Sequence, residues 1–531
     1  MNHYYKTFTA LAVALCICLS MAGCSFLHLE ELEDEQTETE VVIGSGTGRE
    51  LAATYKADHI FSLNSVADDS FNPYSTSSAW NRVVAMLAYE TLVTTDSTFT
   101  ASPNLITRWE TEDGKYWRFY VDTSRSFHDG GVMTPNDAVY SIERAMWSED
   151  GAYARRFSHV KGAYPVDEES FVVELGEANF RFYELLNIPC IEYGSGYDDM
   201  PPGTGPYQFN RRGTMLTLDQ NHPLAQQMPL EKIYLKRYTA AEDILQAFED
   251  SYLDLVVNNP TSISSLGYSR TNITKYVDTT NLHYIGFNMS SRLFSNAMYR
   301  TMMTYAIDRD TIVSGSMQGA AVAATLPIHP NSPLYPVDIA KTLEYSEDGF
   351  ATAMQNMGAT DVDYDGVVEF AGTRATVNFL VCSDSSAKVS AARQISAQLR
   401  NAGFEVNLRE LDYDTFVREL GKGNFDMYYG EVKLCTDWDL SILLTSGGSI
   451  NYGNVWDQTL ANDINAFLGS RQEDLTMNTE ILCQYLAQNA PIIAVCFEKS
   501  EVLYHRGVLS GLNPTQDNLF YNMDQWEVDL D

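Results

Sequence analysis

The stretch RATVNFLVCSDSSAKVSAARQISAQLRNAGFEVNLREL, Arg374–Leu411, decides the fold class of this chain. Its first segment, Arg374–Val381, alternates apolar and polar residues, as a β-strand with one buried face does. Ala387–Ala402 carries apolar residues near the helical period and ends before Gly403, a residue typical of helix C-termini. Phe404–Leu411 alternates again, so the stretch predicts a strand, a helix and a second strand.

The same pattern repeats immediately downstream. Tyr413–Leu420 is predicted to be a short helix, and Phe425–Tyr429 a further strand. Two strand–helix–strand steps in succession imply a local parallel sheet and therefore an α/β fold. Ligands of such sheets bind beyond the carboxyl ends of the strands. The loop from Gly430 to Asn454 is therefore the first place to look for a binding site.

That loop contains an acidic pair beside an indole. Asp437 and Asp439 flank Trp438, with apolar residues and glycines around them. Such a group can receive a cationic part of a ligand while the ring packs against an apolar part. Alternatively, the two aspartates cap a helix that starts near Leu440. The residues alone leave both interpretations open.

A histidine–aspartate pair elsewhere in the chain has a structural interpretation. His128 and Asp129 precede two glycines and follow a strand-like stretch. Thr134 and Asp137 then fit a capping box, with Pro135 at the first helical position, so a helix is predicted to follow. Asp and Gly are favoured in tight turns. We therefore expect a strand-to-helix turn here and not half of a catalytic site.

The N-terminus predicts export. A basic start precedes an apolar run, Phe8–Met21, that is too short to span a membrane and closes on small residues. Ser20–Cys24 resembles a lipobox, so residues 1–23 are predicted to be a lipoprotein signal peptide and Cys24 to be lipidated. An uncleaved membrane anchor is the alternative. The acidic, Gly/Ser/Thr-rich segment 24–44 is predicted to be a flexible tether.

Composition and residue spacing argue against several function classes. The formal net charge of −36 and the lack of a basic patch argue against nucleic-acid binding. The cysteines after Cys24 form no CxxC pair and the histidines are scattered, so no metal site and no cofactor are predicted. A hydrolase needs a defined nucleophile, and the adjacent acidic residues Asp198–Asp199 supply none. We therefore expect a binding protein and not an enzyme.

A series of motifs, each weak alone, runs through the chain in a specific order. They are DSFNPY (Asp69–Tyr74), LAYETLV (Leu87–Val93), ASPNLITRWETEDGKYWRFYVDTSRSFHDGGVMTPNDAVYSIERAM (Ala101–Met146), GTGPYQF (Gly203–Phe209), LHYIGFNMSSRLFSNAMYRTMMTYAIDRDTIV (Leu282–Val313), FDMYYGEV (Phe425–Val432) and APIIAVCF (Ala490–Phe497). Together they resemble the family 5 extracellular solute-binding proteins, the receptors of dipeptide, oligopeptide and nickel ABC importers. Two departures are Asn72-Pro73, where the family has Asp-Pro, and a ligand loop, TDWDLSILL, that lacks the family's proline.

The resemblance implies an α/β, two-lobed periplasmic-binding-protein-like fold of type II. Two crossings between the lobes, near Thr279–Tyr284 and Phe497–Leu503, would make a hinge that closes around ligand. The implied parts are lobe I at residues 45–281 and 500–531, an extra subdomain within it at about 76–194, and lobe II at residues 282–499.

The resemblance also implies a function. The chain would be a monomeric, lipid-anchored receptor on the extracellular face of the cell membrane, or in the periplasm of an organism with an outer membrane. It would trap a short peptide between its lobes, through main-chain hydrogen bonds, and deliver it to an ABC permease and ATPase complex. The peptide's ammonium would meet Asp437 or Asp439, with Trp438 over the backbone. Further candidates for lining the cleft are Asn72, Tyr74, Asn288 and Glu431.

Two alternatives keep the fold and change the function. In one, the ligand is a nickel chelate, haem or an oligosaccharide; scattered histidines argue against direct metal ligation but not against a chelate. In the other, the chain is a surface receptor that signals or adheres without transport.

Overall fold

A computed structural model of the chain describes residues 56–148, 153–259, 266 and 272–531. The predicted signal peptide, Cys24 and the tether lie outside the described residues. Within the described part of the chain, no helix has both the length and the hydropathy needed to cross a membrane.

The described strands are short, except for two that run through most of the largest sheet. In chain order they are β1 (Ser62–Ser65), β2 (Val93–Thr95), β3 (Ala101–Pro103), β4 (Ile106–Thr111), β5 (Tyr116–Val121), β6 (Val160–Pro165), β7 (Ser170–Leu175), β8 (Tyr207–Phe209), β9 (Met215–Leu218), β10 (Lys232–Arg237), β11 (Leu255–Asn258), β12 (Asn272–Phe287), β13 (Ala321–Ala323), β14 (Ala359–Thr360), β15 (Glu369–Phe370), β16 (Thr373–Arg374), β17 (Thr376–Cys382), β18 (Glu405–Leu411), β19 (Met427–Lys433), β20 (Ile492–His505), β21 (Leu509–Ser510) and β22 (Glu527–Val528).

The described α-helices concentrate in the second half of the chain. They are α1 (Ala79–Ala85), α2 (Pro135–Met146), α3 (Ala241–Glu249), α4 (Ala297–Tyr305), α5 (Arg309–Thr311), α6 (Val337–Lys341), α7 (Glu347–Asn356), α8 (Ser386–Asn401), α9 (Tyr413–Gly421), α10 (Ser441–Leu444), α11 (Gln458–Leu468) and α12 (Gln472–Asn489). Single 3₁₀ turns occur at Ala154–Phe157, Phe182–Leu185 and Met523–Gln525, and a π-turn at Ile312–Ser316.

The predicted strand–helix–strand units form part of a seven-stranded sheet. Its order is β11-β20-β12-β19-β17-β18, and β13 pairs with β20 beside this path. β17 is parallel both to β18 and to β19, so the local parallel sheet expected from the sequence is confirmed. The neighbouring strands β12 and β20 are antiparallel, which makes the whole sheet mixed.

The remaining strands form smaller sheets. β1-β10-β9-β8 is a four-stranded sheet in which β1 and β10 are parallel. β4-β5-β7-β6 is an antiparallel four-stranded sheet that lies within the predicted extra subdomain. β2-β3, β14-β15-β16 and β21-β22 are small antiparallel units.

The two long strands carry a break in their pairing. The N-terminal part of β12 and the C-terminal part of β20 pair with each other, and β11 extends the sheet from this end of β20. Beyond a register shift between Asp278 and Leu282, β12 pairs with β19 on its other side. The shift falls within the first predicted hinge crossing. The boundaries of the two lobes stay a prediction.

The His128 turn binds a glycine-containing loop. Its backbone N–H donates to the Gly203 carbonyl at 3.0 Å, and its ring Nε2 lies 2.9 Å from the Gly205 carbonyl oxygen. Burial lowers the pKa of the imidazole. The capping box of Thr134 and Asp137 starts α2 as expected, so the structural interpretation of this turn is confirmed.

Both glycines of this loop lie against the chain at Leu87 and Ala88. A Cβ on Gly205 would lie 2.5 Å from the Ala88 carbonyl carbon and 2.6 Å from the Leu87 carbonyl oxygen. A Cβ on Gly203 would lie even closer to the chain, against the Ala88 carbonyl oxygen. Because backbone atoms cannot rotate away as a side chain does, only glycine fits at these two positions.

We therefore expect Gly205→Ala to lower the free energy of unfolding by about 1–3 kcal/mol, the usual effect of overpacking. Chemical denaturation followed by circular dichroism measures it. Gly421→Ala is the matched control, since its Cβ would meet no atom within 4 Å at the end of α9. Equal stability of the two variants would contradict the packing explanation.

Candidate functional site

The chain leaves β19 at Lys433 and passes over residues of the predicted extra subdomain. The Thr436 hydroxyl donates to the Glu184 carbonyl at 2.7 Å, and the Arg181 guanidinium donates to the Asp437 carbonyl. On its other side, the Thr280 hydroxyl donates to the Leu434 carbonyl at 2.7 Å. These bonds fix the segment 433–439, which we call the bridging loop, between two parts of the chain that are distant in sequence.

The Asp437 carboxylate is used within the fold. Its Oδ2 accepts a hydrogen bond from the Asn179 amide at 2.8 Å, and its Oδ1 accepts one from the Asp439 backbone N–H at 3.2 Å. The residue is only 2% exposed. Burial and the charge of Asp439 raise the pKa of Asp437. Asp437 therefore serves first to hold the bridging loop in place.

The Asp439 carboxylate is only partly engaged. Its Oδ1 accepts a hydrogen bond from the Ser441 N–H at the start of α10, at 2.8 Å, while the N-cap position is held by Leu440 and has no side-chain cap bond. Its Oδ2 lies 3.8 Å from His159 Nε2, beyond hydrogen-bond distance. The side chain retains 16% exposure. Of the acidic pair, Asp439 is the member with an oxygen available to a ligand.

The Trp438 ring is a core anchor in this structure. It packs edge-on against Phe99 at 5.5 Å and against Phe497 at 5.9 Å, and it is 1% exposed. Its backbone has φ of 58°, a left-handed conformation that is unfavourable for a bulky residue. The packed ring therefore holds the strained turn that presents the two aspartates.

The acidic pair opens on a small cavity of about 30 Å³. Its walls combine apolar side chains with polar groups from the extra subdomain and the bridging loop. The lining residues are Arg155, Arg156, Ser158, His159, Val160, Leu175, Glu177, Ala178, Asn179, Phe182, Leu185, Cys435, Asp437, Asp439, Asn465 and Leu468. We call it the acidic cavity.

A second cavity, of about 120 Å³, shares Arg156 with the first. Three cationic side chains, Arg82, Arg156 and Lys433, line it together with one carboxylate, Asp517. Arg156 lies 3.1 Å from Asp517, whose other oxygen accepts a hydrogen bond from Asn187 at 2.6 Å. We call this space the basic cavity, since its cations outnumber its anion.

None of the four further candidates from the sequence lines either cavity. Asn72 donates to the Gly196 and Asp198 carbonyls, and the Tyr74 hydroxyl donates to the Pro189 carbonyl. Asn288, which directly follows β12, donates to two backbone carbonyls. Glu431 forms an ion pair with Lys388. The structure thus brings Asp437, Trp438 and Asp439 together, and places these four elsewhere.

Sequence reasoning missed the partners of the bridging loop. Asn179, Arg181 and Glu184 lie more than 250 residues before the bridging-loop residues that they contact, so no spacing pattern connects them. One signal was present: Arg181 and Glu184 interrupt an otherwise apolar and aromatic run, FRFYELL. Charged residues in such a run are buried only with partners.

The burial of Glu184 changes its pKa. Its side chain is buried, with Arg181 Nε 3.5 Å from one carboxylate oxygen. Burial raises its pKa from 4.5 to about 8, and the Arg181 charge only partly opposes this. Because the folded-state pKa is raised, Glu184 contributes stability below pH 4.5 that is lost as the pH rises through about 8.

We therefore expect Glu184→Gln, which stays neutral, to be more stable than the unmodified chain at pH 9 and to lose most of this advantage at pH 5. The difference in unfolding free energy between the two pH values should be about 3–5 kcal/mol. Denaturant titrations across this range measure it. Glu143→Gln, on the exposed face of α2, is the control and should show no such pH-dependent gain.

The chain is similar in sequence to a known protein family and to named proteins. The family model described as bacterial extracellular solute-binding proteins, family 5 Middle, matches residues 100–452. The oligopeptide-binding protein AppA of Bacillus subtilis is 24% identical over 379 residues, 66% of this chain and 69% of AppA. The periplasmic oligopeptide-binding protein OppA of Salmonella typhimurium is 22% identical over 475 residues, 81% of this chain and 85% of OppA.

Solved structures of similar proteins have the same fold as this chain. AppA in complex with a nonapeptide superposes with a TM-score of 0.61 at 18% identity, covering 88% of this chain and 98% of AppA. A nickel ABC transporter protein of Bacillus halodurans superposes with a TM-score of 0.71 at 19% identity, covering 87% and 98% of the two chains. The chain has the two-lobed fold of these proteins and belongs to family 5 of the bacterial extracellular solute-binding proteins.

Proposed function

We propose that this chain is the substrate-binding receptor of an ABC importer, and that it captures short peptides between its lobes. One observation carries the proposal. An acidic and a basic cavity adjoin at Arg156, where the bridging loop crosses the extra subdomain. A peptide with free ends carries an ammonium at one end and a carboxylate at the other, and this polarity matches the two cavities. The names of AppA and OppA support the same ligand class.

The ammonium would bind at Asp439. Both carboxylate oxygens of Asp437 already accept hydrogen bonds inside the fold, whereas Oδ2 of Asp439 has only His159 at 3.8 Å. Apolar side chains around the carboxylate, such as Val160 and Leu175, strengthen its attraction for a cation by excluding water. Asp437 and Trp438 would act indirectly, by fixing the position of the bridging loop.

The carboxylate end would bind in the basic cavity. Arg82, Arg156 and Lys433 all line it, and Lys433 is the last residue of β19. A guanidinium can bind a carboxylate through two parallel hydrogen bonds, which fixes the direction of the ligand. Main-chain hydrogen bonds along the peptide would give affinity with little preference for side chains.

The lobe boundaries and hinge crossings predicted from the sequence complete the mechanism. In that division His159 belongs to lobe I and Asp439 to lobe II, so ligand between them would hold the lobes together. Lipidation at Cys24 and the acidic tether would keep a monomeric chain near its permease and ATPase complex, outside the membrane. The proposal assigns the chain no catalytic residue.

A nickel chelate is the second candidate ligand, since a nickel ABC transporter protein is among the structural neighbours. His159 in the acidic cavity is a side chain that a chelated metal can bind. Metal analysis of the ligand that co-purifies with the chain separates the two candidates.

We expect Asp439→Asn to weaken peptide binding by about tens- to thousands-fold, the effect of removing the partner of a buried ammonium. Calorimetric titration with the tightest binder from a library of di- to pentapeptides measures it. N-terminal acetylation of the same peptide should weaken binding to the unmodified chain similarly, and should add little further loss in the Asp439→Asn variant.

Asp463→Asn, a change of the same chemistry on α11, is the control and should leave affinity unchanged. Asp437→Ala should reduce stability as well as affinity, because it frees the bridging loop. Unchanged peptide titrations for both Asp437→Ala and Asp439→Ala would refute the site.

A further inference from the structure

Three neighbouring strands bring one imidazole and two carboxylates together outside both cavities. His283 on β12 and Glu431 on β19 are directly opposed, so their side chains lie on the same face of the sheet. On the other side, β20 places Cys496 opposite His283, and Glu498 follows two residues later on that face. One ligand atom from each of His283, Glu431 and Glu498 lies within 4.8 Å of the other two.

The imidazole of His283 has one nitrogen to spare. The residue is 0% exposed, and its Nδ1 lies 3.0 Å from the Tyr429 hydroxyl. Its Nε2 has no hydrogen-bond partner among the described residues. Burial and the nearby Lys388 charge lower the pKa to about 3, so the ring is neutral at physiological pH. A buried polar atom without a hydrogen-bond partner is unfavourable, and a ligand at Nε2 would remove this cost.

Neighbouring side chains hold the two carboxylates in place. The Asn281 amide donates to Glu431 at 2.6 Å and also to Glu498. The Lys388 ammonium forms an ion pair with Glu431. Glu498 is 4% exposed, whereas the Glu431 side chain retains 28% exposure and leaves the cluster accessible to solvent on its side. Asn281 thus orients both carboxylates as an outer-shell group does in metal sites.

We propose that His283, Glu431 and Glu498 form a binding site for a divalent transition-metal ion. One neutral imidazole nitrogen and two carboxylate oxygens are a donor set that suits Zn²⁺, Ni²⁺ or Co²⁺, while Mg²⁺ and Ca²⁺ prefer oxygen ligands alone. On binding, the metal replaces Lys388 as the positive partner of Glu431. The site lies on the sheet next to the register shift of β12 and does not depend on the proposed peptide ligand.

Calorimetric titration of the metal-free chain, purified without a histidine tag, with Zn²⁺ tests the proposal. We expect about one equivalent to bind, and His283→Ala or Glu498→Gln to weaken binding by at least about tenfold. Co²⁺ should give a ligand-field absorption spectrum that His283→Ala changes. Lys388→Gln should strengthen Zn²⁺ binding, because it removes the competing cation; a purely structural polar network predicts no such gain.

Asp361→Asn is the matched control, since Asp361, Asp363 and Glu369 also cluster but offer no imidazole. It should leave Zn²⁺ binding unchanged. Glu431→Gln, at the exposed edge of the site, serves if His283→Ala fails to fold, and it too should weaken binding. Zn²⁺ titrations that are the same for the unmodified chain and for Glu431→Gln and Glu498→Gln would overturn the site, as would equal affinity for Mg²⁺ and Zn²⁺.

Discussion

The pairing of β12 with β20 is the constraint on which the rest of the structure depends. These two strands, of 16 and 14 residues, form the centre of the largest sheet. β11 pairs with the C-terminal part of β20, and β19 pairs with the C-terminal part of β12. The register shift after Asp278 divides their pairing into two stretches. Thr280, inside the shift, donates to Leu434 and so ties the start of the bridging loop to the break. A change in the angle between the two stretches must therefore move the loop that carries the acidic pair.

Adjacent residues of the bridging loop differ in how far the fold uses their side chains. Asp437 holds the loop through Asn179, Trp438 is buried between two phenylalanines, and Asp439 keeps one oxygen for a ligand. Beneath the loop, the Arg181 guanidinium donates to the Asp437 carbonyl, and the Glu184 backbone carbonyl accepts a hydrogen bond from Thr436. The same contacts that make the site thus favour the conformation in which the loop lies on the extra subdomain.

The sequence predicts well whatever depends on neighbouring residues. The strand–helix–strand unit at Arg374–Leu411 shows its periods directly, and the capping box at Thr134 identifies the start of a helix. The place of the bridging loop, directly after a strand of the parallel sheet, is also evident from the sequence. The direction of the Trp438 ring does not, since it depends on a left-handed backbone and on Phe99, far away in sequence. The grouping of His283 with Glu431 and Glu498 requires the strand register, so scattered histidines in the sequence gave no sign of it.

The central claim is that the chain holds a peptide between an acidic and a basic cavity that meet at Arg156. Mass spectrometry of the small molecules released on denaturing the purified chain tests it most directly, since closed sites retain ligand during purification. We expect short peptides of mixed sequence with free amino and carboxyl ends. Release of a metal chelate, haem or an oligosaccharide in place of peptides would contradict the claim, as would an empty chain that binds no member of a peptide library.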